Sequence, residues 1–124
     1  MSLSDYSENY LLDYLLEATL YVAASTADPG DDGASIAEPA GGSYARVEVT
    51  AATWDAASGG TKSNGAAIAF PAATGDWGTI THLAIFSAAS GGNLLCSGAL
   101  TASKAIASGQ TLRVPSGSFD VTLS

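Results

Sequence analysis

Small side chains dominate this sequence and limit the core that it can build. Ala, Gly, Ser and Thr account for 65 of the 124 residues, whereas Leu, Ile, Val and Phe together supply only 25. Each small side chain removes little apolar surface from water, and such a composition lies close to that of disordered chains. The length suits one domain rather than two. We therefore expect a single domain, residues 1–124, whose thin core gains buried surface from partner subunits.

The charge is acidic and unevenly distributed. Twelve acidic and four basic residues give a net charge of −8, and nine of the acids lie in residues 1–48 with Arg46 as the only base there. Nucleic-acid binding needs clustered cations for counterion release, and an anionic membrane surface repels a negative chain. The sequence therefore predicts neither a nucleic-acid nor a membrane partner.

Cysteine content and the N-terminal segment indicate how the chain is made. Cys96 is the only cysteine, so no intramolecular disulfide framework is expected, and this residue is interpreted as a small buried hydrophobe. The first ten residues, MSLSDYSENY, lack the positive and apolar regions of a signal peptide. No run approaches the roughly 20 apolar residues of a membrane span. We expect synthesis in a cytoplasm.

The N-terminal segment has the periodicity of a helix. Ser2, Ser4 or Asp5 can cap its start, and apolar side chains then recur at intervals of three and four residues. The spacing predicts the protein's single α-helix within residues 1–18, and Leu12 and Leu16 widen its apolar stripe. This stripe suits either the chain's own core or a neighbouring subunit. The candidate oligomer or attachment interface consists of Tyr6, Tyr10, Leu11, Tyr14 and Leu15.

The rest of the chain, residues 19–124, has the pattern of a β-sandwich. A β-type run, LYVAAS, precedes a long loop at residues 28–43 that contains two prolines and four glycines. Short candidate strands bounded by turn residues follow it, and such spacing is typical of antiparallel sandwiches and barrels. The predicted class is mainly β, an antiparallel β-sandwich of jelly-roll or Ig-like type with one N-terminal α-helix. The predicted strands cover residues 44–50, 66–70, 78–87, 94–100, 103–107, 111–114 and 118–123.

No motif assigns a reaction to this sequence. His82 is the only histidine and lies in an apolar, strand-like run, so we interpret it as structural rather than as part of a catalytic triad. Asp28, Asp31 and Asp32 depart from the spacing of a calcium loop, and a solvated acidic loop is the favoured interpretation. We therefore expect no catalytic residues, no metal and no cofactor.

The two tryptophans are candidate ligand contacts with a structural alternative. Trp54 and Trp77 both lie beside turn residues, where an exposed indole could stack on a sugar ring. Tryptophan also buries more area than other side chains, and a core this poor in large residues would use it as an aromatic plug. The plug is the favoured interpretation of the two.

Several segments of the chain are distinctive, namely WGTITHLAIFSAASGGNLL at residues 77–95 and the shorter TLYVAASTADP, GGSYARVEVT, TKSNGAAIAFP and SKAIASGQTLRV. With the leucine-rich helix, they resemble small proteins of tailed bacteriophages and prophages that are commonly labelled tail fibre proteins. The similarity covers nearly the whole chain, and its most specific part is the segment at residues 77–95.

The resemblance implies a virion component rather than an enzyme, made in the host bacterial cytoplasm. We expect a tail-fibre or appendage component that assembles on the particle as a homo-oligomer, most simply a homotrimer. Its other partners would be phage tail, neck or capsid proteins. The alternatives are a capsid decoration protein and a receptor- or carbohydrate-binding adhesin with a glycan partner.

Overall fold

The structure, a computed structural model, describes residues 1–123 and is mainly β, with antiparallel sheets and one N-terminal helix. The fold class predicted from the sequence is confirmed. The described helices and strands are α1 (Asp5–Leu15), β1 (Leu20–Ser25), β2 (Val47–Val49), a 3-10 turn (Ala51–Thr53), β3 (Thr61–Ser63), β4 (Ile68–Ala69), β5 (Gly78–Phe86), β6 (Leu94–Ile106), β7 (Arg113–Val114) and β8 (Asp120–Thr122).

The chain forms two compact units, each built from separate stretches of sequence. The first comprises residues 1–19, 49–68 and the chain from residue 113 onward, and the second comprises residues 20–48 and 69–112. We describe each unit by itself. The single domain of residues 1–124, with a helix within 1–18 and a sandwich over 19–124, stays a prediction.

The first unit contains α1 packed beside β3, which pairs antiparallel with β8. Asn64, directly after β3, is fully buried and organises the surrounding turns. Its Nδ2 donates hydrogen bonds to the carbonyls of Ala66 and Pro115, and its Oδ1 accepts one from the amide of Phe119. A buried amide is stable only when its polar atoms are satisfied, so this residue determines how the loops around β3 and β8 meet.

The second unit is built on a four-stranded sheet with the order β2-β1-β5-β6. Strand β5 pairs antiparallel with both β1 and β6, and Val22 and Ala24 of β1 lie opposite Ile85 and Leu83 of β5. Residues 22–25 of β1 are all fully buried, so both faces of this strand are covered. The small side chain of Ala23 packs with Ala84 and Phe86 in the core. Small residues thus occupy the two central strands of the sheet, β1 and β5.

Several strand bounds differ from the sequence expectation. The predicted strands at 94–100 and 103–107 are one continuous strand, β6, in which residues 100–103 bulge opposite Thr81. Backbone pairing with β5 on both sides of this bulge keeps the strand whole, although its side-chain pattern is interrupted. Strand β3 was not expected, because its sequence Thr-Lys-Ser has no apolar alternation. Pairing with β8 defines it instead.

The predicted strand at 44–50 is shorter than expected and starts at Val47. Ala45 alternates with Val47 and Val49 along the sequence, yet it is exposed, whereas Tyr44 and Arg46 are partly buried. Both of these side chains are held by hydrogen bonds to Glu38. Polar contacts therefore reverse the direction that the apolar alternation predicts.

Candidate functional site

Helix α1 begins with favourable end chemistry. The Ser4 side chain is the N-cap and accepts a hydrogen bond from the amide of Ser7 at 3.2 Å. Asp5 and Glu8 lie in the first turn, where the positive end of the helix dipole stabilises acidic groups. The helix ends at Leu15, earlier than the predicted limit at residue 18, because Leu16 leaves helical geometry and caps it.

The side of α1 that faces its own unit is held by both apolar and polar contacts. Leu12 and Leu16 are 3% and 0% exposed. One turn before Leu12, Asn9 Oδ1 accepts a hydrogen bond from the amide of Gly60 at 2.9 Å. Asp13 Oδ1 accepts bonds from the amide of Ala57 and from Lys62 Nζ. The helix is therefore fixed to the β3 region at several points.

The Asp13–Lys62 pair joins an exposed carboxylate to a buried lysine. Lys62 is only 6% exposed, and its ammonium group ends on Asp13. Hydrogen bonds from Lys62 and from the amide of Ala57 lower the pKa of Asp13. A buried lysine needs such a partner, because removing a charge from water is costly without one. The position of α1 is thus linked to the burial of Lys62.

Gly60 lets the turn approach the helix closely. Its φ of +78° lies in the left-handed region, which costs side-chain-bearing residues energy. A Cβ here would lie 2.9 Å from Glu8 Oε1 and 3.0 Å from the carbonyl oxygen of Leu123. Only glycine fits both the backbone conformation and the space.

The opposite side of α1, which we call the outward face, is large, apolar and open. Tyr6 and Tyr10 stack with ring centroids 6.5 Å apart, and they border a shallow groove lined also by Leu3, Ser7 and Leu11. At about 100° per residue, the helical members of the face cover about 180° of the circumference. The outward face consists of Leu3 (48% exposed), Tyr6 (78%), Tyr10 (61%), Leu11 (44%), Tyr14 (70%) and Leu15 (39%).

All five residues of the predicted helical interface therefore lie on one exposed surface. Leu3, which precedes the helix and was not among the predicted interface residues, extends this surface. Leu12 and Leu16 do not widen the exposed stripe, because both leucines are buried on the other side of α1. The polar anchors Asn9 and Asp13 lie on the buried side, and no sequence motif distinguishes them.

Trp77 is a core residue of the second unit. It is 3% exposed, and its Nε1 donates a hydrogen bond to the carbonyl of Gly42 at 2.9 Å. Its ring makes edge contacts with Tyr44 at 5.3 Å and Phe70 at 6.3 Å between centroids. These contacts fill one end of the unit with aromatic side chains.

Trp54 is buried in the first unit. It is 7% exposed and makes an edge contact with Phe119 at 5.6 Å between centroids. Its Nε1 has no hydrogen-bond partner among residues 1–123. Neither tryptophan presents an open indole face, so the burial favours the aromatic plug. Ligand contact through Trp54 or Trp77 stays a prediction that this geometry does not support.

An ion pair connects the long loop of the second unit to a hairpin turn. The Arg46 guanidinium donates hydrogen bonds to both carboxylate oxygens of Glu38. It also donates to the carbonyls of Ala88 and Gly91. Its central carbon lies 4.1 Å from the centroid of the Phe86 ring. Burial alone would raise the pKa of Glu38, but hydrogen bonds from Arg46 and Tyr44 outweigh it and lower the pKa. Burial, together with the hydrogen bond to Glu38, raises the pKa of Tyr44. The loop at 28–43 is therefore tied to the sheet.

The other candidate chemical residues have structural surroundings. His82 lies in β5, with Nδ1 2.8 Å from Thr81 Oγ1. Asp28 and Asp32 each accept a hydrogen bond from an amide two residues further on, which is a turn geometry. Burial raises the pKa of the Cys96 thiol to about 11.

Residues 1–123 contain neither a metal-ligating cluster nor a membrane-spanning helix. Within residues 1–123, no three His, Cys, Asp or Glu side chains converge on a point that could hold a metal ion. In the same residues, no helix combines the length and the apolar character of a membrane-spanning segment.

Comparison with known proteins identifies the class. The sequence is that of a bacteriophage fibre protein, which confirms the resemblance seen in the segments quoted above. More particularly, the chain belongs to the family described as podophage GP4 fiber I protein gp80, whose family model matches residues 2–122. No curated protein matches the sequence. Membership of a phage fibre family implies a component of the virion.

Proposed function

We propose that this chain is a non-enzymatic structural component of a tail fibre or appendage, and that it assembles on the phage particle as a homotrimer. The family match over residues 2–122 carries this proposal. The outward face of α1 supports the assembly part, because exposed apolar patches of this size usually mark interaction sites. Its other partners are tail, neck or capsid proteins of the same particle.

The buried polar groups support a structural role. The bonds of Arg46 to Glu38 lie within the second unit, and those of Lys62 to Asp13 and of the Asn64 amide to its backbone partners lie within the first. Each bond fixes a loop, turn or helix rather than leaving a reactive group in a cleft. Internal bonds of this kind support a structural role.

The proposal is tested on purified particles. Mass spectrometry of virions from a density gradient, with the chain quantified against the major capsid protein, should give a fixed copy number divisible by three. Immunogold labelling should place the chain on the tail rather than on the head. Absence from purified virions would refute the virion role, and labelling spread over the head surface would instead favour a capsid decoration protein.

A further inference from the structure

We propose that the outward face of α1 packs against the same face of two further copies of this chain, forming a parallel three-helix bundle around a three-fold axis. This inference rests on the proposed homotrimer and names the surface that holds it together. The occupant of the face is therefore the chain itself rather than another virion protein.

The exposed area of the face is large enough for self-association. Three tyrosines and three leucines, each 39% to 78% exposed, leave roughly 600 Å² of mainly apolar surface in contact with water, taking aromatic side chains at about 200 Å² each. Stable protein interfaces start near 600 Å² per partner. The largest patch on a typical monomer is roughly 300–600 Å². A three-fold bundle divides this face between two neighbours, so the three copies together bury roughly 1,800 Å² around the axis.

The width of the face favours three helices over two. A helix that packs against one partner needs only a narrow apolar seam. Tyr6, Tyr10, Leu11, Tyr14 and Leu15 cover about half of the helix circumference. A helix in a three-membered bundle contacts two neighbours, so a face of this width can be buried fully.

The charge pattern permits copies to approach each other despite the net charge of −8. No charged residue of α1 falls within the arc of the outward face. Asp5 and Glu8 lie on the other side, and the charge of Asp13 is paired with Lys62. Contact through this face therefore places no charged side chain of α1 in the centre of the interface.

The anchored helix also lowers the cost of assembly. Leu12, Leu16, Asn9 and Asp13 hold α1 in place, and the Tyr6 and Tyr10 rings are already stacked. Interfaces that are ordered before binding lose less conformational entropy when they form. The outward face is therefore arranged for docking in the isolated chain.

The test is the mass of the full chain in solution. Light scattering after size exclusion at about 100 µM should give about three times the chain mass of 12.3 kDa. The double variant Leu11→Glu/Tyr14→Glu should run at the monomer mass, while its circular dichroism spectrum and urea midpoint match those of wild type at dilute concentration. These side chains are exposed, so the charges leave the folded chain intact.

The control places a single glutamate on another exposed surface. Ser97→Glu lies on β6, the edge strand of the four-stranded sheet, and should remain a trimer. Loss of the trimer in Ser97→Glu, with the α1 variant unaffected, would show strand pairing at the sheet edge and overturn the helix bundle. A monomeric or dimeric wild-type chain would overturn it too.

Cross-linking tests the parallel arrangement. In a Cys96→Ser background, Leu11→Cys places one thiol per chain on the face. Oxidation should give linked pairs, because parallel helices bring equivalent residues together, and Ser97→Cys in the same background should give none. Absence of linked pairs from Leu11→Cys would overturn the arrangement. The virion count is independent of this result: monomeric chains on particles would refute the bundle but not the virion role.

Discussion

Arg46 binds Glu38 through two hydrogen bonds, with Nε 2.8 Å from Oε1 and Nη2 2.9 Å from Oε2. The Arg46 side chain is only 6% exposed. The remaining guanidinium contacts, to Ala88 and Gly91, connect the same pair to the turn between β5 and β6. One ion pair thus holds three segments of the second unit, and its removal is the most informative test of that unit.

Glu38→Gln should destabilise the protein by about 2–4 kcal/mol, because a buried guanidinium is left without its counter-charge. Urea unfolding followed by tryptophan fluorescence measures the change. Glu48→Gln is the matched control, since Glu48 is exposed in the same unit, and its effect should stay within about 0.5 kcal/mol. Equal effects of the two variants would contradict a structural role for the ion pair.

Stability should fall at acid pH. The folded pKa of Glu38 is lowered from its ordinary value of 4.5, so the unfolded state binds a proton first as the pH decreases. The resulting stabilisation is complete above pH 4.5 and is lost as the pH falls through the lower folded pKa. Urea midpoints between pH 7 and pH 3 measure this loss. Glu38→Gln should show a shallower decline, and an unchanged slope would assign the acid sensitivity to other carboxyl groups.

The two sides of α1 should respond differently to the same substitution. Leu16→Ala removes a fully buried side chain and should cost about 2–4 kcal/mol in the free energy of unfolding. Leu15→Ala, on the outward face, should cost less than about 0.5 kcal/mol at concentrations where the chain is monomeric. Leu15 is the last residue of the helix and Leu16 caps it, and both variants remove the same leucine side chain, so the comparison mainly reports burial. A larger effect at Leu15 would mean that the helix is rotated.

Gly60→Ala should be more damaging than Gly59→Ala. Both glycines have positive φ, which costs an alanine about 1–2 kcal/mol, but only at Gly60 would the new Cβ meet Glu8 and Leu123. Nothing lies within 4 Å of a Cβ at Gly59. The difference between the melting temperatures of the two variants measures the cost of the contact between the new Cβ at position 60 and its neighbours. Equal melting temperatures would show that the turn does not contact the helix closely.

Cys96 should react slowly with iodoacetamide. The thiolate is the reactive form, and burial raises the pKa of this thiol to about 11. At pH 8 the alkylation rate should be about 100-fold below that of a thiol with the usual pKa near 8.5. The protein unfolded in urea is the control and should react at the ordinary rate. Equal rates for folded and unfolded protein would place Cys96 at the surface.

The local sequence predicts helices and strands well where the apolar residues follow a single helical or strand periodicity. The capped, periodic N-terminal segment becomes α1, and the β-type run after it becomes β1. The glycine- and proline-rich stretch at 28–43 contains no described strand. These outcomes depend on residues close together in the chain, which is the information that spacing contains.

The sequence by itself thus determined the mainly β class, the single helix and the phage fibre family. Only the tertiary structure decided which side of α1 is buried, because Leu12 and Leu16 are as apolar as the tyrosine stripe. The buried side is the one on which Asp13 accepts a hydrogen bond from Lys62, 49 residues away. On the same side Asn9 accepts a hydrogen bond from the amide of Gly60. The burial of Trp54 and Trp77 was decided by long-range packing as well. Contacts between residues distant in sequence form only when the whole chain folds. The spacing of apolar residues along the chain therefore does not predict them.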